Sequence, residues 1–187
     1  FGRFPEFARR LLNRPQAWLC QSEEYAARLR ALGVSDDRLL TLGSLKYDTV
    51  PTEIDATIRA DYRSLIGAGA RTPVIVAGST HPGEEQALLA AFSELRRGGF
   101  EDLRLILVPR HPERLAEVEA LAGSAAPVIR RSRLRGPGAL PKPIVLVDTL
   151  GELARLYAAA DVVFVGGSLI PHGGQNMMEP CGLARPT

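Results

Sequence analysis

Residues that could bind a ligand are concentrated in four segments, each directly after an apolar run that predicts a buried strand. These segments are residues 78–81, 109–114, 148–152 and 166–179, and they are rich in glycine, arginine, histidine and carboxylate side chains. In an open sheet of parallel strands, ligands bind beyond the carboxyl ends of the strands, which lie along one edge. The shared position of the four segments therefore predicts one ligand-binding edge.

The fourth segment has the composition expected of a site for an anion and a sugar. Gly166-Gly167 and Gly173-Gly174 allow the backbone to approach a ligand, and free N–H groups at a helix predicted to begin at Asn176 favour an anion. Glu179, about one turn into that helix, suits the paired hydroxyls of a ribose. The alternative is a tight glycine turn in which Glu179 only stabilises the helix. The spacing matches neither the dinucleotide-binding GxGxxG pattern nor the P-loop, which argues against NAD and Walker-type ATP binding.

Arg110 follows the second of these strands, and its guanidinium can pair with a phosphate or carboxylate through two parallel hydrogen bonds. An ion pair with Glu113 or an interaction with a helix terminus is the alternative role. Glu152 opens the helix after the third strand and is as well suited to stabilising that helix as to binding a ligand. These residue types predict a site for a small anionic ligand.

The remaining charged residues give weaker signals. The histidines stand apart in the sequence, one in each of three segments, and we expect no metal site from them: His81, His111 and His172. A basic run predicts a solvated loop, with binding of an acidic ligand as the alternative: Arg130, Arg131, Arg133 and Arg135.

An alternation of strands and helices must position these segments. Apolar runs predict strands at residues 17–20, 38–42, 73–77, 103–108, 128–129, 144–147 and 161–165. Helical periodicity predicts helices between them, and an arginine-rich helix over residues 1–13 that either packs by one face or lies on a membrane surface. Repeated strand–helix units of this length predict an α/β fold with a doubly wound parallel sheet and right-handed crossovers. The polar, turn-rich residues 43–53 predict a domain boundary.

Length and composition exclude a disordered tail, a collagen-like repeat and a disulfide-rich mini-protein. With 187 residues, 45% of them hydrophobic and 24% charged, the chain has the composition of a globular protein of one to two domains. The net charge of +2 gives no reason to expect a nucleic-acid partner. Cys20 and Cys181 are too few for a disulfide framework and predict buried, reduced thiols. Because the chain opens on Phe1 and stops inside a predicted structural unit, we expect it to be a piece of a longer protein.

A series of short motifs extends over almost the whole chain. They are residues 43–48 (GSLKYD), 77–85 (AGSTHPGEE), 107–114 (LVPRHPER), 147–153 (VDTLGEL), 164–169 (FVGGSL) and 173–176 (GGQN), followed by Glu179-Pro180. In these motifs and in their order, the sequence resembles the 3-deoxy-D-manno-octulosonic acid (Kdo) transferases of lipopolysaccharide biosynthesis.

This resemblance implies a GT-B architecture, in which two Rossmann-like domains face each other across a cleft. Residues 1–49 would be the end of the N-terminal domain and the linker, and residues 50–187 a truncated C-terminal domain that binds the sugar nucleotide. Members of the family transfer Kdo from CMP-Kdo to a lipid A precursor at the cytoplasmic face of the inner membrane, without a metal or other cofactor. The expected partners are thus the donor, the lipid acceptor and, through the full-length protein, the inner membrane surface.

By the same resemblance, CMP would contact residues in three of the four segments. They are Pro109, Arg110, Leu150, Gly151, Glu152, Asn176, Met177, Met178 and Glu179. No residue of this chain is expected to be catalytic, because the family's glutamate base belongs to the N-terminal part that the chain lacks. We therefore expect the isolated chain to be inactive in transfer.

The sequence departs from the family pattern at a few positions. Gln175 stands where histidine is usual, Met177-Met178 replace Pro-Leu, Ser44 replaces Asn, and Tyr47 replaces Phe. None of these changes removes a proposed CMP contact, but Gln175 puts any histidine-dependent contact to the sugar in question. Two alternatives stay open: another GT-B glycosyltransferase or epimerase that uses a UDP-sugar, and a nucleotide-binding domain without catalysis.

Overall fold

The computed structural model describes residues 5–48, 50–134 and 142–187 of the chain. The chain divides into two compact units, Phe1–Val50 and Pro51–Thr187. Arg135 of the predicted basic loop and the first four residues of the predicted N-terminal helix lie outside the described residues. None of the described helices is long and apolar enough to span a membrane.

The first unit is a small α/β layer. Its elements are α1 (Pro5–Leu12), β1 (Trp18–Cys20), α2 (Glu23–Ala31) and β2 (Leu39–Thr41). Strands β1 and β2 are parallel, with Trp18 opposite Leu39. Ala8, Leu12 and Val34 form its buried core, and the indole Nε1 of Trp18 donates a hydrogen bond of 2.7 Å to the Leu12 carbonyl oxygen.

The second unit is a five-stranded parallel sheet between helices, which confirms the predicted α/β fold. Its strands are β3 (Val74–Thr80), β4 (Arg104–Pro109), β5 (Val128–Arg130), β6 (Ile144–Leu146) and β7 (Val162–Val165). Its helices are α3 (Ala56–Leu65), α4 (Glu84–Arg97), α5 (Leu115–Gly123), α6 (Leu153–Ala159) and α7 (Met178–Gly182). The strand order is β5-β6-β4-β3-β7. The order reverses between β3 and β7, which is where open sheets of this kind place their ligands.

Alternation of side chains along each strand builds a core on both faces of this sheet. Val74 and Val76 of β3 belong to the layer beneath α3 and α6, whereas Ile75 and Ala77 belong to the layer beneath α4 and α5. Because both faces are covered, the strands are nearly continuous apolar runs, as parallel strands usually are. This packing brings the carboxyl ends of β3, β4 and β6 together at one edge.

Several details differ from the sequence prediction. Strand β3 continues through Thr80 instead of ending at Ala77. Helix α7 begins at Met178, not Asn176, and the Asn176 side-chain oxygen accepts the Met178 backbone N–H at 3.0 Å in the turn that precedes the helix. Cys20 is buried as expected, but Cys181 is exposed.

Candidate functional site

A cavity of about 350 Å³ opens at the carboxyl edge of the sheet in the second unit. Its volume lies within the range of roughly 300–1,000 Å³ that is common for small-molecule sites. The ends of β3, β4 and β6 and the segments that follow them supply its walls. The lining residues are Ser79, Val108, Pro109, Arg110, Pro112, Leu115, Val147, Asp148, Thr149, Leu150, Gly151, Glu152 and Leu153.

Five of the nine residues implied to contact CMP line this cavity. Pro109 and Arg110 come from the end of β4, and Leu150, Gly151 and Glu152 come from the loop between β6 and α6. Gly151 has a φ of +78°, which allows the loop to turn into α6. The Leu150 side chain is 87% exposed, so its apolar surface is available to a ligand in the cavity.

Arg110 is the cationic group of the cavity. Its backbone N–H donates to the Thr80 carbonyl oxygen at 3.0 Å, which ties the end of β4 to the end of β3. Its side chain is exposed. Within the part of the chain that the structure describes, its guanidinium forms neither an ion pair nor a hydrogen bond. The carboxylate of Glu113, its alternative partner, lies instead beside His111, with 3.5 Å between Glu113 Oε1 and His111 Nδ1. The geometry therefore favours the ligand-binding role over an ion pair within the protein, because the guanidinium is available to an anion.

Glu152 is already engaged within the protein. One carboxylate oxygen accepts from the Arg131 guanidinium at 3.0 Å, and the other accepts from the Thr149 hydroxyl at 2.8 Å. The Arg131 guanidinium also lies over the Tyr62 ring, 5.7 Å from its centroid. The prediction that the basic run is a solvated loop is therefore wrong for Arg131, and equally for Arg130, which pairs with Glu119 at 2.6 Å.

Asp148 helps to shape the same wall of the cavity. Its carboxylate accepts from the Ser132 backbone N–H at 2.9 Å and from the Ser132 hydroxyl at 2.6 Å. Burial would raise the pKa of Asp148, but these hydrogen bonds to the ionised form outweigh it, so the pKa lies below its ordinary value. Asp148 is thus ionised at neutral pH and holds the segment after β5 against the β6 end.

The other four implied contacts, Asn176 to Glu179, follow β7 and do not line this cavity. Asn176 and Met177 are exposed, and Met178 and Glu179 are partly buried. The Met178 N–H, which the sequence prediction left free for an anion, donates to Asn176 instead. Glu179 lies close enough to Tyr157 of α6 to raise the pKa of that phenol, although burial of the ring is the larger cause.

Glu84, the first residue of α4, binds the backbone of the glycine-rich loop after β7, and reasoning from the sequence did not single it out. Its side chain is fully buried. One carboxylate oxygen accepts from the N–H groups of Ser168 and Leu169 at 2.9 and 3.0 Å. The other accepts from the N–H groups of Gly167 and His81, both at 2.9 Å. The amides of Gly167, Ser168 and Leu169 are therefore bound to this internal carboxylate.

The electrostatics of Glu84 follow from these contacts. Burial alone would raise the pKa of Glu84, but four backbone N–H groups stabilise the ionised form more strongly, so the pKa is lowered. The only sequence signal is a pair of glutamates, Glu84 and Glu85, in the first turn of a helix, where acidic residues are common. Glu85 is equally buried but pairs with Arg114 at 2.9 Å.

The three histidines, separate in sequence, come together in space. The ring centroid of His81 lies 4.6 Å from that of His172 and 5.6 Å from that of His111. The side-chain amide of Gln175 lies 3.2 Å from the His81 Nε2 atom. Burial, followed by the neighbouring imidazoles, lowers the pKa of His81, so this ring is neutral at pH 7. Among the described residues, no three His, Cys, Asp or Glu side chains are grouped as metal ligands would be.

Comparison with known proteins gives matches to one family over both units. The family model described as "3-Deoxy-D-manno-octulosonic-acid transferase (kdotransferase)" matches residues 1–49. A 3-deoxy-D-manno-octulosonic acid transferase from Bordetella pertussis is 37% identical over 171 residues, which is 90% of this chain and 39% of that protein. The corresponding enzyme from Haemophilus influenzae is 36% identical over 160 residues, covering 85% of this chain and 36% of the enzyme.

One relative combines two activities in its name. A bifunctional glycosyltransferase/methyltransferase from Fusobacterium nucleatum is 33% identical over 172 residues, which is 91% of this chain. The chain spans 26% of the length of that protein and 42% of the length of the enzyme from Chlamydophila psittaci. It therefore corresponds to less than half of either relative.

A solved structure also resembles this chain. The crystal structure of the C-terminal CMP-Kdo binding domain of WaaA from Acinetobacter baumannii matches with a TM-score of 0.60 and 35% sequence identity. The match covers 70% of this chain and 67% of that domain. An identity of this size over two thirds of the domain supports a common family as well as a common fold.

Proposed function

Because the chain belongs to the 3-deoxy-D-manno-octulosonic acid transferase family, we propose that its second unit binds the nucleotide of a CMP-Kdo donor. The observation that carries this proposal is the cavity in which Pro109, Arg110 and the loop 150–152 come together. These residues were assigned to CMP from the family's motifs, and they converge in space although about 40 positions separate them in sequence. Convergence at the carboxyl edge of a parallel sheet is what a ligand site requires.

The chemistry of the cavity suits a nucleoside monophosphate. Its walls include the apolar side chains of Val108, Pro109 and Leu115, which can pack against a planar base. Arg110 offers the positive charge for a single phosphate, and a guanidinium can bind two phosphate oxygens at once. The near-neutral net charge of +2 fits a ligand that carries one phosphate group.

For the whole protein we propose transfer of Kdo from CMP-Kdo to a lipid A precursor in lipopolysaccharide synthesis. An acceptor hydroxyl would attack the anomeric carbon of Kdo, the bond from that carbon to the phosphate oxygen would break, and CMP would leave. A carboxylate base would take the hydroxyl proton. We do not assign this base to Glu84, Glu85 or Glu152, since all three are bound to other groups of the protein.

Arg110 would contribute to catalysis by stabilising the leaving phosphate, on which negative charge develops as the bond breaks. Because the acceptor is a lipid, the reaction would occur at a membrane surface. We propose that the whole protein acts at the cytoplasmic face of the inner membrane. Fractionation of cells that produce the full-length protein, followed by detection in the inner-membrane fraction, tests this location.

Calorimetric titration of the folded chain with CMP tests the donor site. We expect CMP to bind, and we expect Arg110→Ala to weaken binding about 10- to 100-fold, since a charged hydrogen bond contributes about 1.5–3 kcal/mol. Arg97→Ala is the matched control. Arg97 ends α4 at the opposite edge of the sheet, and its side chain donates to the Ser93 carbonyl oxygen at 3.3 Å.

Competition separates the alternatives. UMP should displace CMP only weakly if the donor carries cytidine, whereas preferential binding of UMP or UDP would favour an enzyme that uses a UDP-sugar. A folded chain that binds no CMP, or binds it equally well after Arg110→Ala, would contradict the proposed site.

A further inference from the structure

Ser79 occupies an unusual backbone position at the edge of the cavity. In the pairing of β3 with β4, Gly78 lies opposite Val108 and Thr80 lies opposite Pro109, so Ser79 is an extra residue that forms a bulge. Its φ is +56°, in the left-handed region that glycine adopts readily and other residues rarely do. Bulges and strained residues of this kind are concentrated next to functional sites.

The surrounding structure holds Ser79 in this conformation from both sides. The Gly78 carbonyl oxygen accepts the Gly166 N–H at 2.8 Å, and the Thr80 carbonyl oxygen accepts the Arg110 N–H at 3.0 Å. The Cα atom of Gly166 packs directly against the Ser79 carbonyl group, with no room for a side chain. Neighbouring strands therefore determine the backbone at this position, and a glycine would adopt it with less strain.

The serine side chain has no structural role that would explain the strain. Ser79 is partly buried and lines the cavity together with Arg110. Within the described residues, its hydroxyl forms no hydrogen bond. Because the hydroxyl has no partner among the described residues, its donor is available to a ligand that fills the cavity.

We propose that Ser79 is a ligand-binding residue whose hydroxyl donates a hydrogen bond to the phosphate of the bound nucleotide, beside the Arg110 guanidinium. The two groups come from adjacent strand ends, and together they offer a neutral and a charged donor to one anion. This inference rests on the proposed function, because it assigns the phosphate of that same donor to a defined end of the cavity.

The variant Ser79→Gly separates binding from folding. It removes the hydroxyl and relieves the left-handed backbone, so we expect an equal or higher Tm together with about tenfold weaker CMP binding. Cytidine, which has no phosphate, should bind wild type and variant within a factor of two. A purely structural role of Ser79 would change the affinities of CMP and cytidine alike.

Ala184→Gly is the control for relief of strain. Ala184 also has a left-handed backbone, with a φ of +51°, but it is exposed and does not line the cavity. We expect this variant to raise the Tm or leave it unchanged, and to bind CMP like wild type. Ser79→Gly binding CMP with wild-type affinity would overturn the proposal.

A second probe distinguishes failure of this inference from failure of the proposed function. Inorganic phosphate is titrated into the isotopically labelled wild-type chain and Ser79→Gly while amide NMR shifts near residues 79 and 110 are followed. If CMP fails to bind but phosphate shifts these amides only in wild type, the anion site stands and the nucleotide assignment falls. If phosphate affects both chains equally or neither chain, the role of Ser79 is excluded.

Discussion

Glu84 connects two distant parts of the chain through one ionised side chain. Its carboxylate accepts hydrogen bonds from the backbone N–H of His81, before α4, and from those of Gly167, Ser168 and Leu169, after β7. The loop after β7 in turn pairs with the residues ahead of α7, since the Gly167 carbonyl accepts from Gly174 at 2.8 Å. Glu84 is therefore a positioning residue for the segment that leads into residues 176–179.

We expect Glu84→Gln to destabilise the protein by about 2–4 kcal/mol. In this variant an amide nitrogen, which cannot accept hydrogen bonds, replaces one of the two carboxylate oxygens. The two backbone N–H groups that donate to that oxygen in the wild type would then be buried without a partner. Urea unfolding measures the change in stability, and hydrogen exchange at Gly167, Ser168 and Leu169 measures the change in the loop.

Glu85→Gln is the matched control, because Glu85 is as buried as Glu84 but pairs with Arg114. It should leave exchange of the loop amides unchanged. Wild-type exchange in Glu84→Gln would contradict the positioning role.

The lowered pKa of Glu84 also predicts a pH dependence. Because the folded pKa lies below its ordinary value near 4.5, the unfolded chain binds more protons in the interval between them. The stabilisation is therefore complete above about pH 4.5 and is lost as the pH falls through the folded value. The unfolding free energy of wild type should fall more steeply below pH 4.5 than that of Glu84→Gln.

At the scale of secondary structure, the close approach of β3 and β7 depends on glycines. A Cβ atom at Gly166 would overlap the carbonyl group of Ser79 and the Cα atom of Thr80, all of them backbone atoms. At Gly78 it would overlap the phenol of Tyr157. The approach of the chain after β7 to β3 therefore requires a glycine at position 166, and the packing of α6 on β3 requires one at position 78.

We expect Gly166→Ala to destabilise the second unit by about 3 kcal/mol, since backbone atoms cannot move aside as a flexible side chain can. Thermal or urea unfolding gives the value. Gly123→Ala is the control, because Gly123 ends helix α5, has no atom within 4 Å of an added Cβ, and should gain about 0.5 kcal/mol. Equal effects of the two substitutions would show that packing between β3 and β7 is not the cause.

At the scale of the whole molecule, the two units differ in how much core each possesses. Among its described residues, the first has a small buried apolar cluster of Ala8, Leu12 and Val34 and a sheet of two strands. The second has a buried layer on each face of a five-stranded sheet. Two-stranded sheets are weakly stable, so resistance to local opening should differ between the units.

Native-state hydrogen exchange should reveal this difference. We expect the slowest amides in the central strands β3, β4 and β6, and faster exchange by at least about tenfold in β1 and β2. Exchange is read by mass spectrometry of peptides that cover each strand. Protection of β1 equal to that of β4 would contradict this ranking.

Local sequence patterns predict much of the fold and part of the candidate site. Apolar runs such as residues 103–108 predict the buried strands, and helical periodicity predicts the helices between them, because these patterns reflect burial of nearby residues. The same patterns predict that Arg110 and Gly151 follow strand ends, so their meeting at one edge follows from the rule for parallel sheets. The motif order suffices to indicate the family.

Tertiary structure alone decided which groups bind one another. Glu84 and Gly167 are 83 positions apart, and His81 and Gln175 are 94 apart. Such pairs depend on β3 lying beside β7, and local spacing contains no information about strand order. For the same reason the sequence gives no sign that a glutamate binds the glycine-loop amides or that the three histidines meet. Strand order places Glu84 on those amides and the three imidazoles together, because each buried polar group must find its partner among neighbours in space.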